Sequence, residues 1–84
     1  MGYTSMDWER LILDAVEDLG DPVHLSNIYL WLERNAPLTD EHLRATRHGG
    51  RPAYQHQVRS HISNLCQRGA LVRVDVGMYA SAVR

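Results

Sequence analysis

The stretch Ala53-Tyr54-Gln55-His56-Gln57-Val58-Arg59-Ser60-His61-Ile62-Ser63-Asn64-Leu65-Cys66-Gln67-Arg68-Gly69 decides how this chain is read. Val58, Ile62, Leu65 and Cys66 recur at helical spacing, so one stripe of a helix turns toward a core. At about 100° per residue, the far side carries His56, Ser60, Ser63 and Gln67, flanked by Arg59 on one side and by Gln57 and Asn64 on the other. A solvated helix face is ordinarily furnished with Glu and Lys, which are good helix formers, and this stretch contains neither. Its hydroxyl, amide and imidazole groups are the kind that donate to phosphates and meet the edges of bases. Gly69 is placed to end the helix in the left-handed conformation. Two short apolar runs, 70–76 and 78–83, then follow, joined at Gly77.

Working outward, 84 residues allow one domain, 1–84, with a core of modest size. The single cysteine, Cys66, has no internal partner and falls on the apolar stripe. That predicts an inert core thiol and, with it, an intracellular protein. No apolar run approaches the roughly 20 residues that span a bilayer, so no membrane partner is expected. The net charge of −1 conceals a segregation. Residues 1–42 hold nine acids against Arg10 and Arg34, a balance of −7, whereas residues 43–84 hold seven arginines against Asp75, a balance of +6. Every basic residue is Arg, whose planar fork suits phosphate and guanine better than the point charge of Lys.

Before the central stretch, Trp8, Leu11, Ile12, Ala15, Val16 and Leu19 mark an amphipathic helix over 6–19, capped by Thr4 or Ser5 and ended by Gly20. Its acids face outward, which makes it scaffold. Val23-His24-Leu25 predicts a small strand that pairs with the terminal hairpin. Ser26 is the expected cap of a second helix to about Asn35, which buries Ile28, Tyr29 and Leu32. Leu30 and Trp31 widen its apolar face, either under the following loop or as a partner surface. Thr39 caps a further short helix over 40–47, and 48–52 forms a joint. In the first terminal run Leu71, Arg73 and Asp75 alternate with Val72, Val74 and Val76, a pattern that predicts a strand with one buried face. Tyr79 is expected to return to the core against Leu71 or Val74.

The fold class that results is mainly α with a small β-hairpin, three core helices and an additional short helix. Its order and residues resemble winged helix-turn-helix domains of two groups. One is the HARE-HTH type, with Gly20-Asp21-Pro22-Val23-His24 after an Ala/Leu-containing helix and Ile28 early in the next. The other is the winged helix appended to methylation-dependent restriction endonucleases, matched by Gln57-Val58-Arg59, Leu65, Gly69-Ala70-Leu71 and Gly77-Met78-Tyr79. These resemblances imply DNA as the partner, sensing of methylated adenine or cytosine, and a role in transcription regulation or restriction-modification.

The residues themselves point the same way on the partner. Double-stranded DNA would take the helix of residues 54–68 in its major groove, with His56, Gln57, Arg59, Ser60, Ser63 and Asn64 near base edges or phosphates, and Tyr54 at the helix start. Arg44, Arg47, Arg51 and Arg73 would supply positioning contacts. A module this small gains affinity from a second copy, or from fusion to or association with another chain. The alternative is a protein-interaction domain using the acidic first helix with Leu30 and Trp31. No metal or cofactor is expected: His56, His61 and Cys66 follow at intervals of five, each rotated by about 140° from the last, and cannot converge on one ion. Gly49-Gly50 lacks the lysine and spacing of a phosphate-cradling loop, and no nucleophile stands beside a base, so no enzyme is expected.

Overall fold

Helix periodicity at both ends of the chain builds the core. The computed structural model describes residues 7–44 and 50–82. Helix α1 (Trp8–Leu19) buries Leu11, Ile12, Ala15 and Val16, and α4 (Ala53–Gln67) lays Tyr54, Val58, Ile62 and Leu65 against it. Helix α2 (Leu25–Asn35) adds Ile28 and Leu32, and short α3 (Asp40–Leu43) packs beside α4. Strands β1 (Val23–His24), β2 (Leu71–Asp75) and β3 (Met78–Ser81) close the bottom with Val23 and Leu71. Each Leu or Ile so buried contributes roughly 1.5–3 kcal/mol, which is how a chain this short holds together.

The sheet is antiparallel in the order β1-β3-β2, with Val23 opposite Tyr79 and Arg73 also opposite Tyr79 on the other side. This is a winged-helix-like α+β fold. The expected pairing of 23–24 with the terminal hairpin is present, as are the expected helix ends at Gly20 and Gly69. After α4 the Gly69 N–H donates to the Cys66 carbonyl at 3.2 Å and the Ala70 N–H to the Leu65 carbonyl at 2.9 Å. Gly69 stands at φ 81°, which only glycine adopts without penalty.

Several local expectations are corrected. Thr4 and Ser5 lie outside the described residues, and α1 is capped by Asp7, whose carboxylate accepts the Arg10 N–H at 3.2 Å. Helix α2 is capped by His24, not Ser26: the Ser26 N–H donates to His24 Nδ1 at 3.1 Å. His24 wins because strand β1 delivers it in extended conformation at the helix mouth, over Gly77. Helix α3 ends at Leu43, short of 47, because Arg44 turns extended at ψ 135°. Its cap is Thr39 as expected, answered by His42, whose Nδ1 accepts the Thr39 N–H at 2.9 Å.

Strand β2 has no buried face. Only Leu71 is buried, and Val72, Val74 and Val76 all face solvent. The register shift between Arg73 and Asp75 spoils the alternation, and no helix covers the outer side of the hairpin. Trp31 goes neither under the loop nor to a free surface; its indole N–H donates to Asp18 of α1 at 2.8 Å.

The largest fully buried side chain is Tyr54. Its ring stacks on Trp8 of α1 at 6.4 Å and meets the edge of Tyr29 of α2 at 5.9 Å, while its hydroxyl donates to Glu33. Burial first, then the Glu33 hydrogen bond, raises the Tyr54 pKa.

Two outcomes follow from these contacts. The unfolded chain releases the Tyr54 proton near pH 10, where the folded chain still holds it. Stability should therefore fall as pH rises above about 10, and Tyr54→Phe should flatten that decline in urea titrations. At neutral pH, His24→Ala should cost about 1 kcal/mol through loss of the α2 cap, while His24→Asn should retain most of it.

Candidate nucleic-acid interface

Burial of one stripe of α4 fixes where its other residues point. His56, Gln57, Arg59, Ser60, Ser63, Asn64 and Gln67 are all exposed. Of the eleven residues read from the sequence as nucleic-acid contacts, Tyr54 is corrected: at 0% exposure it is part of the core and presents nothing to a partner. Its position in the first turn of α4 suggested a groove-facing ring. The helix instead enters at an angle that delivers this turn beneath α1 and α2. Arg47 lies outside the described residues. Arg44 is exposed at the end of α3, and its carbonyl accepts the Ala53 N–H at 2.8 Å, which ties the approach segment to the first residue of α4.

The two flanks of α4 differ in charge. Along one flank, Glu9 of α1 reaches both His61 Nδ1, at 3.1 Å, and Arg68, at 2.8 Å. Arg68 is thereby neutralised, and His61 is a half-buried packing residue held by Glu9. Arg59 lies about 160–180° round the helix from this pair, on the flank that faces the sheet. There it shares a crevice with Ser63, Arg73 and Tyr79. Arg51 and Arg59 both act electrostatically on Tyr29, whose pKa is raised by burial and drawn back by Arg59 and then Arg51. Arg59 and Arg73 thus share the crevice with Tyr79, and Arg59 and Arg51 lie near enough to Tyr29 to act on it.

Among the described residues, Arg44, Arg51, Arg59 and Arg73 form no salt bridge. Three of the four acids of α1 have partners elsewhere, and the fourth, Glu17, is exposed. Asp14 pairs with Arg10, Glu9 with Arg68, and Asp18 accepts from Trp31 on the side turned toward α2. Tyr29 and Tyr79 were missed as members of this face, since their helical and strand spacing marks them equally as core; both are only half-buried.

Cys66 is corrected as well. It is half-exposed and lines the crevice beside Arg59 and Arg73, at the edge of the apolar stripe and not at its centre. Among the described residues no group of three or more His, Cys, Asp or Glu side chains is arranged to hold a metal ion, and no helix is long and apolar enough to cross a membrane. The chain matches no protein-family model, no curated protein and no solved structure.

Native Cys66 should react with iodoacetamide at a measurable rate without denaturant. A thiol that stays silent until the protein unfolds would contradict its half-exposed position.

Proposed function

We propose that this chain is a double-stranded DNA-binding winged-helix domain that lays α4 in the major groove. The observation that carries the reading is the exposed face of α4, free of Glu and Lys, with Arg51, Arg59 and Arg73 beside it, none of which forms a salt bridge among the described residues. Arg59 and Ser63, on the flank away from Glu9, are the strongest base-edge or phosphate contacts. His56, Ser60 and Gln57 follow from the N-terminal half of α4, and Asn64 sits nearer the acidic helix. Arg44, Arg51 and Arg73 position the duplex through its backbone.

A module of this size buries about 600–1,000 Å² on DNA, so its affinity alone is modest and a second copy or a partner chain would raise it. The resemblance to domains that sense modified bases extends the reading to methylated adenine or cytosine, in a regulator or a restriction-modification system.

A protein-interaction role has one observation in its favour: Leu30 is 54% exposed and Leu19, across the α1–α2 seam, is 43% exposed. Trp31 no longer serves that role freely, since its indole N–H is held by Asp18.

In fluorescence anisotropy with a labelled duplex, log affinity should fall linearly with log salt, at a slope near −0.9 per phosphate neutralised. Arg73→Ala should weaken all sequences alike and reduce the slope by about one unit, while Arg59→Ala should also relax sequence preference, at a cost of about 1–3 kcal/mol. A flat salt dependence would remove DNA as the partner. Selection from a random duplex library, with and without adenine and cytosine methylation, would then define the site.

A further inference from the structure

Between α4 and the sheet lies an open crevice of about 280 Å³ whose walls differ in chemistry. Part of its lining is apolar: Leu25 at the start of α2, Ile62 and Cys66 of α4, and Tyr79 on β3. The rim is cationic and hydroxylic, with Arg59 and Ser63 one turn apart on α4 and Arg73 on β2, directly across the sheet from Tyr79. Neither arginine has a carboxylate in salt-bridge range among the described residues. Asp75, the one acid of the hairpin, accepts the Val76 N–H at 2.7 Å.

A concave site with an apolar body and a few convergent polar groups is the usual form of a small-molecule pocket. Two guanidinium groups at its mouth match a carboxylate in geometry as well as charge. A backbone phosphate would satisfy only the rim and leave the apolar lining wet. An uncharged aromatic would cover the apolar lining and desolvate two cations without a counter-charge.

We propose that this crevice binds a small organic anion, a monocarboxylate carried on a flat apolar body. The carboxylate sits between Arg59 and Arg73 within reach of the Ser63 hydroxyl, and the body rests on Leu25, Ile62 and Tyr79. The site does not depend on DNA binding. Where DNA does bind, the anion occupies the same two arginines and competes with it, and this second statement rests on the DNA reading.

Cys66 lines the same crevice and is the only thiol in the chain, so it reports occupancy directly. The probe is benzoate, compared at equal ionic strength with chloride, with acetate, which lacks the apolar body, and with benzyl alcohol, which lacks the charge. At ten times its dissociation constant, benzoate should slow alkylation of Cys66 by iodoacetamide about tenfold, and acetate and benzyl alcohol should not. Benzoate should also raise the melting temperature, a readout that does not involve the thiol. Both effects should vanish in Arg59→Gln/Arg73→Gln, while Arg34→Gln, remote from the crevice, should keep them. Unchanged alkylation together with an unchanged melting temperature overturns the proposal, as does protection that persists in the double variant or is matched by benzyl alcohol. In a separate arm, benzoate should weaken duplex binding beyond the effect of chloride. Protection of Cys66 without any such competition would leave the anion site standing and count against the DNA reading alone.

Discussion

Tyr54 is the joint on which the rest of the structure turns. Its ring is enclosed by Trp8 from α1 and Tyr29 from α2, and its hydroxyl is held by Glu33, so one side chain at the first turn of α4 fixes that helix against both others. With the first turn pinned and Leu65 buried three turns later, α4 has no freedom to roll. Its polar residues are exposed because its apolar ones are all committed. The outward ridge is thus a consequence of the core and needs no interaction of its own to hold it in place.

The same constraint decides where charge lies. A rotation of α4 that brought Arg59 toward α1 would carry it to Glu9, where Arg68 and His61 now sit. The arginine beside α4 that α1 does neutralise is Arg68, its C-terminal cap residue. Arg59 and Arg73 lie on the other flank beside Tyr79 and form no salt bridge among the described residues. Nearly zero net charge does not by itself decide what such a chain attracts, since long-range attraction depends on where charges sit more than on their sum.

The helices were legible because their apolar residues recur with the period that burial demands. Leu11, Ile12, Ala15 and Val16, and again Val58, Ile62 and Leu65, are each read correctly from spacing alone. What spacing cannot convey is which of two adjacent polar residues closes a helix. Ser26 is the better intrinsic cap, yet His24 takes the position, because pairing of β1 with β3 sets the chain's direction there. The valines of β2 misled for a related reason. Alternation implies a buried face only if something covers it, and a three-stranded sheet with helices on one side leaves Val72, Val74 and Val76 wet. Tyr54 was misassigned since an aromatic at a helix start is equally suited to a groove or a core, and only the neighbours Trp8 and Tyr29, distant in sequence, distinguish them. The exposed face of α4 was legible, whereas its division into a neutralised and a free flank depends on Glu9, 52 residues from His61.

The hairpin now takes a more definite part. Its outer surface carries the exposed Val72 and Val74, so it has little to offer a phosphate backbone on that side. Its inner surface sets Arg73 and Tyr79 opposite each other and against α4, where they enlarge the environment of Arg59. A hairpin that gripped the duplex independently would spread its cations along its tip, but the tip here is Val76 and Gly77. The hairpin's cation and ring lie instead in the seam with α4, where β2 contributes Arg73 and β3 contributes Tyr79. The proposed anion site and the proposed DNA-binding ridge would both draw on Arg59 and Arg73, so a ligand that filled one would change the charge available to the other.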